Sequence, residues 1–338
     1  MRKSIMIIVL AVICSLGWGQ NLEVELLIKK GISLHEKGFY EEAIKKYQAA
    51  LEIEPLNVLA HYEISYAYME SKKWEEALYH SKQVIRENGD YWLEAVMVNG
   101  AALDNLGQSK KAIKLYRKAL KKKPDNYLLY YNMGISLFGE EDYMAAESAV
   151  QKAILNNRKH TSSHLLLANI KMQQGQWLKS ALPLYFFLLY EQDSDRSVEA
   201  WDQLQVIWLS AAIKNKGMIA IKADPRASSS GLGAGELGMG AIASNFMMDE
   251  DAKQLKEPHK FVDKTQKLFR VLNETKNDDL GFWEIVYLDH FNALFDQGHM
   301  ESFAYFISNC KYKPEVLTWI TENGYEFQEF MNWMELQP

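Results

Sequence analysis

Cysteine is almost absent from this sequence: two in 338 residues, Cys14 and Cys310. Cys14 lies in an apolar run near the N-terminus, so a chain that sheds that run keeps one thiol and can form no intrachain disulfide. Small secreted domains use disulfides to compensate for small cores, whereas this chain is long enough for two domains held by packing alone. No histidine-containing motif points at Cys310, which therefore reads as a small buried hydrophobe rather than a nucleophile. An excess of basic residues is lacking as well: 38 Lys and Arg stand against 44 Asp and Glu, a formal net charge of −6. Nucleic-acid phosphates demand a basic surface, so this balance argues against a nucleic-acid partner. A transmembrane helix needs about 20 apolar residues. The run from Ile5 to Gly19 falls short of that before polar Gln20 and Asn21.

That short run has another reading. Arg2 and Lys3 precede it, and Gly17-Trp18-Gly19 places small residues where a signal peptidase needs them. This is the layout of a secretory signal peptide. The expectation is a leader over 1–19, cleaved after Gly19, and a mature chain that is periplasmic or extracellular with no membrane span; the alternative is an uncleaved N-terminal anchor. A lipid anchor would want a small residue just before the cysteine; Cys14 follows Val12-Ile13, so no lipidation is expected.

Beyond the leader the sequence repeats. Ala43, Ala77, Ala112 and Ala146 stand at steps of 34, 35 and 34 residues, and a degenerate unit continues the series at Ser180-Ala181. Twelve residues before three of these alanines stand Gly31, Gly100 and Gly134; beyond them come Tyr47 and Ala50, Tyr116 and Ala119, Val150 and Ala153. Pro55 and Pro124 close the first and third units, because proline cannot continue a helix. Small residues are required where two helices cross, which pairs Gly31 with Ala43 and Gly100 with Ala112. Gly38 and Gly107 suit the left-handed position that ends a helix. Tyr40, Trp74, Tyr143 and Trp177 recur at the start of each second helix, where a ring can wedge against the next hairpin.

These units resemble tetratricopeptide repeats, in register over five copies at about 24–57, 58–92, 93–126, 127–160 and 161–193. The second unit departs from the pattern, with Ser65 in the glycine place, Ser81 in the aromatic place and Gly89 for proline. The fifth carries Pro183 inside its second helix, which predicts a kink or a late start. The resemblance implies an all-α fold, a right-handed α-solenoid of helix hairpins over 20–193. A helix over 194–216 with Trp201, Leu204, Ile207 and Trp208 would cap the stack, since exposed stack ends need a lid. Gly217 to Lys222 reads as a short extended piece, and 217–245 as a Gly/Ser-rich linker or loop. From 246 to 338, aromatics recur at helical spacing, as in Phe261, Leu268, Phe269, Leu272 and Phe291, Leu294, Phe295; this predicts a helical C-terminal domain with one buried face per helix.

Several constellations invite a chemical reading, and each has a plainer one. Gly233-Ala234-Gly235-Glu236-Leu237-Gly238 matches the dinucleotide fingerprint, but that motif must follow a strand directly within a βαβ unit. Here a polar break and helical sequence surround it, so no cofactor is expected. His160 and His164 stand four apart without a further ligand nearby, which makes two surface histidines the better reading than a metal site. Asp289-His290 and Asp249-Glu250-Asp251 lack a third partner for acid/base catalysis and read as solvated faces. Lys121-Lys122-Lys123 complements a helix C-terminus.

In repeats of this kind the first helix of each hairpin lines a concave groove. The resemblance therefore places Tyr62, Tyr66, Met69, Met97, Tyr131, Ile135, Phe138 and Asn169 on it, with Ile28 and Ile32 at its entry. Tetratricopeptide domains that grip the acidic C-termini of chaperones clamp a carboxylate with Lys, Asn and Arg at such places; Ile28 and Ile32 take the entry positions here. An amphipathic helix or extended apolar peptide suits this surface. The expected function is a non-catalytic scaffold for another protein or peptide. Alternatives are a structural subunit of an envelope complex, or an enzyme with its chemistry in the C-terminal domain, where no catalytic family is evident.

Overall fold

The computed structural model describes residues 21–218, 231–248, 255–275 and 281–337. The expected leader over 1–19 and the acidic group Asp249-Glu250-Asp251 lie outside these residues, as does 219–222 of the expected extended piece. Among the described residues there are helices and no strand, and none of the helices is long and apolar enough to cross a membrane. The chain divides into two compact units between Ala146 and Glu147.

The first unit is a series of antiparallel hairpins of the α-solenoid kind. Its helices are α1 (residues 21–36), α2 (Tyr40–Ile53), α3 (Val58–Glu70), α4 (Trp74–Glu87), α5 (Trp92–Asn105), α6 (Ser109–Leu120) and α7 (Tyr127–Gly139), with α8 (Tyr143–Asn156) spanning the division. Local chemistry sets their ends. The Asn57 and Asn126 side chains accept from the backbone N–H groups of Ala60 and Leu129, each at 2.9 Å, capping α3 and α7. Gly38 and Gly107 take positive φ after α1 and α5, as their place in the repeat requires. In the hairpins between, Lys72 and Glu141 adopt that left-handed backbone without glycine's freedom.

The crossing of helices within a hairpin differs from expectation in its partner. A Cβ on Gly31 would lie 2.4 Å from the Tyr47 ring, and one on Gly100 would lie 2.1 Å from the Tyr116 hydroxyl oxygen. The glycine therefore clears room for the tyrosine, four residues beyond the alanine predicted to face it. Ala43 and Ala112 are wholly buried beside these contacts, and Tyr47 and Tyr116 are as completely enclosed. In the second hairpin, where serines replace both residues, Asn99 donates 2.8 Å to the Ser81 Oγ.

The second unit begins in α8 and contains α9 (Thr161–Gln173), α10 (Trp177–Tyr190), α11 (Asp195–Met218), α12 (Gly231–Met248), α13 (His259–Glu274), α14 (Asp289–Asp296), α15 (Met300–Ser308), α16 (Lys313–Glu322) and α17 (Gly324–Glu335). A π-helical turn, Glu284–Leu288, leads into α14. Three expectations need correction here. First, α10 runs unbroken from Trp177 through Pro183, with no late start, and every residue from Ala181 to Leu189 is buried. It packs against α9 as the second helix of a hairpin and is also the central helix of this unit. Tyr185 is its hub, with ring centroids 5.2 Å from Phe269 and 6.1 Å from Phe303. The Tyr185 hydroxyl also accepts from Trp208 Nε1 at 3.2 Å. Second, α11 does not end the stack, because α10 packs on one side of it and α12 on another. Its Trp201 lies 4.2 Å from the Phe261 ring of α13.

Third, the stretch read as a linker over 217–245 holds the last turn of α11, Gly217 and Met218, and most of α12. The glycines of α12 serve close approach, not mobility. A Cβ on Gly235 would meet Leu272 at 2.3 Å and Leu178 at 2.8 Å, and one on Gly238 would meet Val271 at 2.9 Å. These are the glycines of the dinucleotide fingerprint, and their open sides are occupied by leucine and valine side chains. Gly233 and Glu236 line a cavity of about 550 Å³ with Lys179, Phe282 and Trp283, while Glu236 accepts from the Leu178 N–H at 2.8 Å.

The expected surface histidines also divide differently. His160 sits before α9 with its Nδ1 2.8 Å from Ser163 Oγ. His164 is fully buried: its Nε2 donates to the Arg158 carbonyl at 2.8 Å, so its Nδ1 accepts from the Tyr287 hydroxyl at 2.7 Å. A buried imidazole with one donor and one acceptor satisfied is neutral, and burial lowers its pKa to about 3. Asp289 is exposed as expected, whereas burial lowers the pKa of its neighbour His290 to about 4. Cys310 is half-buried, and burial pushes its thiol up to about 11.

Candidate partner-binding groove

In the first unit, α3, α5 and α7 are each buried on all faces but one. On α3 the stripe left open is Tyr62, Glu63, Tyr66, Met69 and Glu70; on α5 it is Glu94, Met97, Ala101 and Asp104; on α7 it is Leu128, Tyr131, Ile135 and Phe138. Spacings of three and four residues keep such positions on one side of a helix. The repeat step brings Tyr62, Met97 and Tyr131 to equivalent places, and likewise Tyr66, Ala101 and Ile135, then Met69, Asp104 and Phe138. Seven of the eight predicted groove residues thus share this arrangement. Tyr66 at 45% exposure and Ile135 at 39% are its most open large side chains.

Two sequence expectations fall away from it. Ile28 is buried in the core with Val24, Ile44 and Tyr47 instead of facing outward, and Ile32 packs against the same core. Asn169 is partly exposed on α9 and belongs to the second unit.

Residues that spacing alone did not single out complete the surface. Tyr91, in the turn before α5, stacks on Tyr62 with centroids 4.8 Å apart and planes 15° from parallel. His35 at the end of α1 lies 5.6 Å from the Tyr66 ring. Four carboxylates are interleaved with the rings: Glu63, Glu70, Glu94 and Asp104. Burial raises the pKa of Glu63. It does the same for Asp104, partly offset by the Ser136 hydroxyl, which donates to its Oδ2 at 2.7 Å. Tyr62 is pushed up to about 12, first by burial and then by Glu63 and Glu94 beside it. One Glu94 oxygen is buried without a hydrogen-bond partner.

The surface therefore offers aromatic faces and carboxylates, with no nucleophile, base and orienter converging on one point. Among the described residues no group of three or more His, Cys, Asp or Glu is placed to hold a metal ion. A family profile described as a TPR repeat matches residues 31–72 and 102–139, the segments from the end of α1 through α3 and from the end of α5 through α7. These two segments carry TPR repeats. Among curated proteins no sequence matches. Solved structures similar to it include the MamA fragment 41-end from Desulfovibrio magneticus RS-1, at 20% identity over 51% of this chain and 98% of that one, with a TM-score of 0.46. A thermophilic TPR protein of Thermus thermophilus is 17% identical over 55% of this chain and 99% of its own, TM-score 0.46. PilF of Pseudomonas aeruginosa is 16% identical over 60% and 94%, TM-score 0.48.

Proposed function

We propose that the protein is a non-catalytic scaffold that binds a partner peptide or helix on the open stripe of α3, α5 and α7. The observation that carries this reading is the retention of Tyr66, Ile135, Tyr62, Tyr131 and Phe138 on the one unburied side of helices that are otherwise enclosed. Large apolar side chains grouped on an open surface mark interaction sites. Aromatic anchors dominate such interfaces, because each buries a large area at small entropy cost. Nucleic acid is disfavoured by the carboxylates among those rings.

The test is Tyr66→Ala combined with Tyr131→Ala, with partner affinity measured by calorimetry. Two losses of about 1.4 kcal/mol each correspond to about a hundredfold weaker binding. Unchanged affinity with an intact fold moves the site off this surface. We further propose that the chain is exported and acts in the periplasm or outside the cell, on the strength of Arg2, Lys3 and the apolar run that follows. N-terminal sequencing of the exported chain should then read from Gln20; a chain retaining Met1 in the cytosolic fraction refutes it.

A further inference from the structure

The groove helices of the first unit carry charge of one sign. α3, α5 and α7, which bear the groove, carry Glu63, Glu70, Glu94 and Asp104 and not one lysine or arginine. α6, a second helix of the same unit, carries Lys110, Lys111, Lys114, Arg117 and Lys118 and no carboxylate. Besides α6, the other helices of the unit carry both signs, as with Glu42 and Lys45 on α2 or Glu75 and Lys82 on α4, so the groove helices stand apart in having carboxylates alone. None of the four groove carboxylates forms an ion pair among the described residues, whereas the exposed Glu41 outside the groove is paired with Lys73 at 2.8 Å. Ordinary surface acids find a partner from their own chain or sit in water; Glu94 does neither completely. One Glu94 oxygen is enclosed with nothing to accept from. A buried acceptor left unpaired costs free energy that an incoming donor recovers.

The rings complete the specification. The Tyr62 and Tyr91 rings stack 4.8 Å apart, with Glu63 and Glu94 close enough to Tyr62 to act on its hydroxyl. An aromatic face flanked by carboxylates attracts a guanidinium or ammonium twice, through the ring quadrupole and through the charge. Met97, Ile135 and Phe138 along the same stripe ask for apolar side chains.

Building on the groove reading above, we propose that its occupant is a basic amphipathic segment, whose arginine or lysine side chains lie against Tyr62, Tyr91, Glu63 and Glu94 while its apolar side chains cover Met97, Ile135 and Phe138.

The probe is a labelled helical peptide of leucine, alanine and arginine, compared with counterparts in which glutamine or glutamate replaces every arginine; binding to the full chain is read by fluorescence anisotropy. The arginine peptide should bind about tenfold or more tightly than the glutamine peptide, the glutamate peptide more weakly than either, and the arginine advantage should shrink as salt is raised. Glu63→Gln and Glu94→Gln should each weaken the arginine peptide several-fold and leave the glutamine peptide unchanged. Glu75→Gln on α4, outside the groove, should alter neither. Equal binding of the arginine and glutamine peptides overturns the inference, and so does a Glu75→Gln effect as large as that of Glu94→Gln, which would mean diffuse attraction to an acidic chain. If Tyr66→Ala with Tyr131→Ala still weakens both of those peptides in that event, the groove reading stands without its charge preference. If no peptide binds, or all bind the tyrosine variant undiminished, both readings fall.

Discussion

At Gly100 a single methyl group would lie 2.1 Å from the Tyr116 hydroxyl oxygen, in a space closed on all sides. The ring is held by its own helix and cannot swing away without opening the hairpin. Gly100→Ala should therefore cost about 1–3 kcal/mol, the usual range for overfilling a packed interior. Gly89 has nothing within 4 Å of where its Cβ would go and no positive φ, so Gly89→Ala is the matched control. Urea denaturation of the two variants checks the difference; equal midpoints would show that the tyrosine yields. Residue spacing made the repeat readable because such demands are local: glycine, alanine and tyrosine recur wherever two adjacent helices must touch. Which pair touches was not readable, since Ala43 and Tyr47 lie on the same face of α2 and only the turn between the helices decides which of them meets Gly31.

Among the elements, α12 shows where sequence reasoning runs out. Glycine loosens a free chain and also lets helices approach, and the sign depends on neighbours. For Gly235 and Gly238 those neighbours are Leu178, Val271 and Leu272, tens of residues away. The groove stripe was easier, because positions three and four apart on α3, α5 and α7 share a side whatever surrounds them. Tyr91 was missed for lying in a turn, outside any helical period. The carboxylates share the periodic stripe with the aromatics, but apolar periodicity carries no signal for them. One link between elements is testable on its own. Lys171 of α9, only 3% exposed, is ion-paired with Glu147 of α8, donates to Gln174 Oε1 at 3.0 Å and lies 5.5 Å from the Trp283 ring centre. Removing one member of such a pair strands the other. Glu147→Gln should destabilise the protein by about 3 kcal/mol, and Lys171→Met with Glu147→Leu should recover most of the loss. A single variant as stable as the parent would show that Lys171 has another counter-charge or has lost its proton.

Across the whole molecule, neutral histidines set an acid limit. His80, bonded through Nδ1 to His61 at 2.8 Å, has its pKa lowered to about 4 by burial and then by His61; His290 is lowered to about 4 and His164 to about 3. An unfolded chain titrates these groups near 6.5. The stability they contribute is complete above that value. It declines as pH falls from about 6.5 to 4, where the unfolded chain takes up protons that the folded chain refuses. Glu63 and Asp104, raised by burial, act in the opposite sense as they protonate. Urea midpoints measured from pH 8 to pH 4 should be level above about 7 and fall steeply below 6.5, and His80→Asn should flatten its share of the slope. A level profile throughout would mean that the imidazoles gain compensation on protonation. The enclosure of α10 has its consequence in time. A ribosome delivers Ala181-Leu182-Pro183-Leu184-Tyr185-Phe186-Phe187-Leu188-Leu189 well before Phe261, Phe269 and Phe303, which will cover it. The hairpins of α1 to α7 find their neighbours within a few dozen residues and can close as they emerge. α9 and α11 can cover part of that segment early, but the rest stays open until α13 and α15 have been made.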